Sequence, residues 1–362
     1  RGAVGAPPMP RGAAPRPRKR FWAPESAARL KRGIAGTGRR GAKTGRIADR
    51  GGDMRQKRTC VELCAGGGGS SIGLEQAGFE HTRVVERNPT FCETLERNRP
   101  GWGVVCANLG DFDARGLGDV DLLSGGLPCP PFSIAGQQLG SEDERDCFPM
   151  ALRIVRKIRP KSIMFENVPG LLQPKFELYR KRVTARLARL GYECRWHRVV
   201  SSDLGVPQHR PRTLLVGLLG RRPEEGPMYR PRRQKTVTEA IQDIMGENGW
   251  RGLGRWSRLA NGIAPTVTGG SERHGGPDLG PTRARKAWAL MGIDGMGIAD
   301  EPPARDFVGM PRLTLRMVAR IQSFPDRWRF AGTKTAVHRQ IGNALPAPVA
   351  KAAGIFVRGQ LD

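Results

Sequence analysis

Val120-Asp121-Leu122-Leu123-Ser124-Gly125-Gly126-Leu127-Pro128-Cys129-Pro130-Pro131-Phe132-Ser133 is the stretch on which the fold turns. Its first five residues read as a buried strand, and the run then breaks into two glycines and a cysteine set between prolines. Fixed-φ residues stiffen the backbone there, so a thiol at the strand's carboxyl end is held in the open rather than packed in a core. Burial is the commoner fate of a cysteine. Against it stands a second apolar run, Ser162-Ile163-Met164-Phe165, which ends in Glu166-Asn167-Val168, with Glu166 lying 37 residues beyond Cys129. Two adjacent parallel strands ending in Cys129 and Glu166 place a nucleophile and an acid at one crevice, where open α/β sheets bind ligands.

Strands and helices alternate around these two runs from Thr59 to about Gly217. Strands are expected at Thr59–Leu63, Arg83–Glu86, Gly103–Cys106, Val120–Ser124 and Lys161–Phe165. Helices are expected near Ser70–Gln76, after an Asn88 cap with Pro89 in the first position, and over Met150–Ile158 and Phe176–Leu190. Glu193–Val200 and Thr213–Gly217 read as a closing hairpin. The pattern predicts an α/β fold, a doubly wound mixed sheet with helices on both faces. From about Leu218 to Arg312 the rhythm breaks into Gly-, Pro- and Arg-rich sequence with isolated Trp250, Trp256 and Trp288. A long irregular basic segment of this kind usually forms a functional surface. Leu313–Gln322 and Ala344–Phe356 read as helices, the last returning to the first domain.

Four divisions follow: a disordered basic tail (1–58), a catalytic domain (59–217), a recognition region (218–330) and a returning C-terminal segment (331–362). The chain has 362 residues and a formal charge of +27, which points to a polyanionic partner, most simply nucleic acid. Residues 1–58 hold 17 Lys and Arg against 3 acids, which leaves +13 on the remainder. The folded part is therefore basic in its own right. The tail is too poor in apolar residues to offset chain entropy, and Met54 is read as the natural start, with the preceding residues an over-extended reading of a GC-rich gene. No apolar run approaches a membrane span, and seven cysteines without paired CxxC spacing suit a reducing cytoplasm and no metal site.

Between the first strand and helix lies Val61-Glu62-Leu63-Cys64-Ala65-Gly66-Gly67-Gly68-Gly69-Ser70. Glycines there let backbone N–H groups approach a ligand at a helix N-terminus. Glu86 ends the second strand about 20 residues on, a position suited to ribose hydroxyls. Three further blocks stand out: Gln208-His209-Arg210-Pro211-Arg212, Asn261-Gly262-Ile263-Ala264-Pro265-Thr266-Val267-Thr268-Gly269-Gly270, and Arg339-Gln340-Ile341-Gly342-Asn343-Ala344.

With the Pro-Cys and Glu-Asn-Val segments these make six blocks, and from Thr59 to the C-terminus the chain resembles the bacterial DNA (cytosine-5) methyltransferases in motif content and order. The resemblance implies an enzyme that transfers a methyl group from S-adenosyl-L-methionine to C5 of a flipped-out cytosine in double-stranded DNA, through a covalent bond from Cys129 to C6. It implies that Glu166 holds a proton at ring N3, that Arg212 donates to the base O2, and that Arg210 orders the pocket and nearby phosphate. Such an acid needs a raised pKa in a water-poor pocket. For the cofactor, the resemblance implies Cys64 stacking on adenine, Asn108 and Leu109 at the adenine edge, and Phe148 and Asn343 closing the site. Ala65, Gly66, Gly68, Gly69, Glu86, Pro128 and Ala344 complete that set. The chain departs from the family at three points: Cys64 where Phe is usual, Asn108 where Asp is usual, and Pro130 where Gln commonly follows the cysteine.

Ser133–Asp146, with Ser133 and Arg145, looks like a loop that closes behind the flipped base. Target choice is placed in Gly246–Met310, where Arg251, Arg255, Arg258, Arg273, Arg283 and Arg285 suit contacts to guanine edges or phosphates. A monomer in the cytoplasm is expected, without membrane contact, and a companion restriction endonuclease is a partner the resemblance allows. A tRNA cytosine-5 methyltransferase and an inactive DNA-binding regulator on the same scaffold are the competing readings. The first lacks its Cys-Phe-Thr signature here, and the second would have lost the nucleophile or the glycine turn.

Overall fold

The computed structural model describes residues 57–128, 146–270 and 276–361. Cys129, Ser133, Arg145, Arg273 and the basic tail therefore lie outside the described residues. Seven strands form one mixed sheet: β1 (Arg58–Leu63), β2 (Phe79–Glu86), β3 (Val104–Cys106), β4 (Leu122–Gly126), β5 (Ser162–Asn167), β6 (Tyr192–Val200) and β7 (Pro211–Leu219). Their order is β3-β2-β1-β4-β5-β7-β6. The first five pair in parallel, and β7 runs antiparallel to both β5 and β6, so the expected closing hairpin is present.

Apolar residues occupy both faces of the central strands, as buried parallel strands require. Val61, Leu63, Leu123, Ile163, Phe165 and Leu215 pack on the face covered by α3 (Phe148–Ile158) and α4 (Glu177–Arg189). Cys60, Leu122, Met164, Leu214 and Val216 pack on the opposite face, with α1 (Gly69–Gln76) and α10 (Ala347–Arg358). The last helix thus packs beside α1 on this face of the sheet. The Asn88 side chain caps α2 (Pro89–Asn98), accepting from Thr90 N at 3.0 Å and Phe91 N at 3.4 Å.

Two departures from the sequence reading bear on the site. β4 begins and ends two residues later than expected and runs through both glycines. Gly125 lies so close to β1 that an added Cβ would stand 3.0 Å from the Leu63 carbonyl oxygen, which is why glycine is tolerated inside this strand. The recognition region also carries more helix than its composition suggests: α5 (Val237–Met245), α6 (Leu253–Leu259) and α7 (Thr282–Ala289), followed by α8 (Leu315–Ile321) and α9 (Lys334–Asn343). Trp250, Trp256 and Trp288 are buried in a cluster that also takes in Ile72, Val84 and Leu95 from the sheet side. They are core residues, and the irregular segments lie between the helices they anchor.

Candidate active site

The strand ends assemble the site. In the parallel register Leu63 lies opposite Gly125, and Gly126 opposite Glu166. A Cβ added to Gly126 would stand 3.4 Å from Glu166 Oε2 and 3.8 Å from the Cys64 carbonyl oxygen. Cys64, which leads into the glycine turn, and the acid therefore meet across Gly126, three positions before Cys129.

Glu166 is ion-paired with Arg212, Nε to Oε1 at 2.8 Å, with both side chains largely buried. Arg212 also donates from Nη1 to the Pro211 carbonyl at 2.8 Å. Burial pulls the Arg212 guanidinium down from its ordinary value, and Glu166 opposes that shift. Arg210 is more enclosed, 2% exposed, and burial followed by the neighbouring Arg212 pulls its pKa well down. Its Nη1 donates to Val267 O at 2.7 Å and its Nη2 to Gly342 O at 2.8 Å. Both Nη groups are turned inward onto carbonyls, which leaves no geometric basis for the phosphate contact expected of Arg210.

Asn167, to which the sequence reading gave no role, is 2% exposed and donates from Nδ2 to Leu127 O at 3.3 Å. It pins the chain two residues before Cys129. The far end of the intervening segment is held at Asp146, whose carboxylate accepts from Phe148 N at 3.0 Å and from the Tyr179 hydroxyl at 2.7 Å. The signal available in sequence was a polar residue directly after the acid, but its partner was not readable.

The glycine turn divides into two kinds of position. Gly66, with φ +58°, has nothing within 4 Å of an added Cβ and opens onto free space. Gly67, Gly68 and Gly69 are pressed by the C-terminal segment: their added Cβ atoms would stand 2.9 Å from Gln340 Cβ, 2.7 Å from the Trp328 ring and 2.5 Å from Leu345 O. Trp328 Nε1 also donates to Gly67 O at 3.1 Å. Close packing therefore demands three of the four glycines, and the open approach belongs to Gly66. Ala65 N donates to Val85 O at 3.2 Å, joining the turn to β2.

Glu86 is buried, and its carboxylate accepts from Gly66 N at 2.8 Å and from Arg87 N and Asn88 N, each at 2.9 Å. Three acceptor sites thus order the turn and the start of α2. Cys64 takes a left-handed φ of 54°. Its thiol meets that of Cys147, and this contact and burial push its pKa up. Asn108 is exposed and donates to Asp111 at 3.4 Å, beside Leu109, while Pro128 is exposed at the end of the described β4 segment. Phe148 is buried edge-on against Phe165 and Tyr179 in the core. Asn343 is exposed and Ala344 buried at the end of α9.

Of the arginines expected at DNA, Arg251, Arg255, Arg258 and Arg283 are exposed, and Arg251 pairs with Asp306 at 2.8 Å. Arg285 is half-buried, its Nη1 lying 3.0 Å from Met296 Sδ. Among the described residues no group of three or more His, Cys, Asp or Glu is placed to hold a metal ion, and no helix is long and apolar enough to cross a membrane.

The architecture is matched by solved structures. A DNMT2 of Spodoptera frugiperda shares it at a TM-score of 0.59 with 15% identity, covering 83% of this chain and 100% of that one. A Dnmt2 methyltransferase of S. pombe follows at 0.57 and 17%, covering 84% and 99%. At these identities the likeness concerns the fold alone. Sequence relatives are much nearer. The type II methyltransferase M.NaeI of Lentzea aerocolonigenes is 46% identical over 315 residues, spanning 85% of this chain and 76% of the relative. The type II methyltransferase M.NgoMIV of Neisseria gonorrhoeae is 46% identical over 301 residues, spanning 82% and 96%. The profile of the C-5 cytosine-specific DNA methylases matches residues 58–269 and 294–355, covering the strand ends that carry Glu166 and Arg212, the glycine turn and the C-terminal segment packed upon it, and the chain belongs to that family.

Proposed function

We propose that the chain methylates C5 of a flipped cytosine in a specific word of duplex DNA, using S-adenosylmethionine and a covalent Cys129 intermediate. The observation that carries this reading is the junction at Gly126, where Glu166, paired with Arg212, adjoins the Cys64 carbonyl that leads into the glycine turn, at the root of the Cys129 segment. The residues present fit S-adenosylmethionine. α1 has Gly68 as its N-cap and no side-chain cap, so its first N–H groups remain directed at the turn, and Gly66 faces open space. Glu86 retains acceptor capacity beyond its three backbone bonds, enough for a ribose hydroxyl. Cys64, Ala65, Gly66, Gly68, Gly69, Asn108, Leu109, Pro128, Asn343 and Ala344 are the neighbours assigned to it, with Phe148 behind the wall. When bound, it supplies an electrophilic methyl group.

Cytosine C5 is a weak nucleophile. Attack of the Cys129 thiolate on C6 forms a C–S bond and moves the ring electrons to C5, where they would take up the methyl group as its bond to sulfur breaks and S-adenosylhomocysteine is left. Glu166 holds a proton at N3 while charge builds on the ring, and Arg212, braced through Nε by Glu166, offers Nη2 to O2. Loss of the C5 proton and expulsion of the thiolate restore the aromatic ring. A base in a duplex cannot be attacked in this way from within the stack, so the target is everted. The exposed arginines of the recognition region, Arg251, Arg255, Arg258 and Arg283, face the duplex together with Arg273, Ser133 and Arg145. The protein acts as a monomer, and a restriction endonuclease reading the same word is its natural companion.

Duplex DNA carrying 5-fluorocytosine tests the reading, since fluorine at C5 blocks the final proton loss. Wild type with S-adenosylmethionine should yield a denaturation-resistant adduct, and Cys129→Ala none. An adduct that persists in the variant removes Cys129 from the role.

A further inference from the structure

The loop Gln208–Arg212 is fastened from behind by a buried amide chain. Gln208 is fully buried; its Oε1 accepts from Val267 N at 2.7 Å and its Nε2 donates to Gln322 Oε1 at 2.7 Å. Gln322, just past the end of α8 and likewise fully buried, donates from Nε2 to Ile341 O at 2.7 Å. Arg210, in the same loop, reaches Gly342 O. Ile341 and Gly342 belong to the last turn of α9, where the Ile341 carbonyl also accepts from Ala344 N at 3.3 Å. Arg210 of the base-pocket loop and Gln322 beyond α8 therefore complete the cap that Ala344 N begins, and the next two residues are Asn343 and Ala344 of the proposed cofactor site. A buried amide has no water to fall back on, so the chain holds one arrangement or leaves donors and acceptors unpaired.

We infer that Gln322 is a positioning residue that ties the target-base pocket to the cofactor pocket, so that filling one favours the ordered form of the other. The inference rests on the proposed placement of the cofactor at residues 64–69, 86 and 343–344. Gln322 touches neither ligand. It acts through Gln208 on one side and the Ile341 carbonyl on the other. Coupling of this kind is reciprocal: bound DNA raises the affinity for the cofactor by the same factor as bound cofactor raises that for DNA.

The test is a ratio. S-adenosylhomocysteine binding is titrated calorimetrically with and without duplex DNA carrying the word that methylation mapping of an expressing host returns. Wild type should bind it about fivefold or more tightly with DNA present. Gln322→Met, of similar volume but without hydrogen bonds, should bring that ratio close to one while the affinity without DNA changes little. If Gln322→Met does not fold, Gln322→Glu keeps an acceptor for Gln208 and, as a carboxylate, offers no donor to Ile341; it should lose the ratio in the same way. A variant that loses affinity equally with and without DNA keeps the ratio, shows a structural role only, and overturns the inference. A ratio of one in wild type overturns it as well. A wild type that binds no S-adenosylhomocysteine under either condition instead sinks the proposed function, and the inference with it.

Discussion

Glu166, near the carboxyl end of β5, holds Oε1 2.8 Å from Nε of Arg212, the second residue of β7. The antiparallel return of β7 brings a side chain from 46 residues away in sequence onto the acid. The pair is largely enclosed, so each group depends on the other for its compensation.

Replacing the acid while preserving its shape separates chemistry from binding. Glu166→Gln should lower kcat by about 10²- to 10⁴-fold, the range for a positioned proton donor, and leave S-adenosylhomocysteine affinity nearly unchanged. Single-turnover methylation and calorimetry measure the two quantities. A matching fall in cofactor affinity would place Glu166 in the other half of the crevice.

The glycines of the turn should respond differently to substitution. Gly69→Ala drives a Cβ to 2.5 Å from the Leu345 carbonyl and 2.9 Å from Ala344 Cβ, so it should cost about 1–3 kcal/mol of stability. Gly66→Asn keeps a residue type that visits left-handed φ and meets no neighbour, so its stability should stay within about 1 kcal/mol of wild type. Its cost should appear in cofactor affinity, because that position faces open space. Thermal melts alongside binding titrations decide between the two behaviours; equal loss of stability in both variants would contradict the packing distinction.

Acid should weaken the fold through two histidines. Burial pulls the pKa of His197 down, with Arg195 adding to the shift, and burial likewise lowers that of His338, opposed by Asp278. In the unfolded chain both titrate near the ordinary value of about 6.5, so below it the unfolded state binds more protons than the folded one. Their contribution is complete above about pH 6.5 and declines as the pH falls towards the depressed folded values. Melting temperature followed from pH 8 to pH 5, values of about that size being enough to span the window, should fall at the acid end. Its slope should be shallower in His338→Asn. An unchanged slope would mean that His338 is not held neutral.

Arginine substitutions in the recognition region should sort into two classes. Arg255→Ala and Arg258→Ala remove exposed charges of α6, and at a phosphate contact they should weaken methylation of all sites alike and reduce the salt slope by about one. A base contact should instead cost about 1–3 kcal/mol and relax one position of the word. Methylation mapping at two salt concentrations distinguishes these outcomes. If every arginine change in Gly246–Met310 leaves the word intact, target choice lies elsewhere.

Much of this architecture was legible because parallel strands buried on both faces are written as continuous apolar runs. Leu122–Leu123 and Ser162–Phe165 announced two strands, and Asn88-Pro89 announced a helix start that the structure repeats. The recognition region was less legible. Its helices α6 and α7 are short and arginine-rich, with Trp256 and Trp288 as their buried anchors, so no long apolar face marked them in the sequence. α9 was missed for a related reason: its buried set includes His338, Gln340 and Gly342, which do not read as a core face.

The sequence by itself determined which chemistry stands at which strand end, because strand period, glycine and proline breaks and the residue after each break are local properties. It placed Glu86 and Glu166 at carboxyl ends of strands that prove to lie in one sheet, and it ended the strand between them in the sheet two residues short of Gly126. Only the tertiary structure decided what each group touches. Arg212 on Glu166, Asn167 on Leu127, Trp328 on Gly67 and Gln322 on Gln208 are contacts between segments that hydrophobic periodicity does not relate. A polar side chain in a sequence reads as solvent-facing by default. It becomes a buried strut only when packing removes water and presents a carbonyl or amide at hydrogen-bond distance, and that pairing is a property of the assembled core.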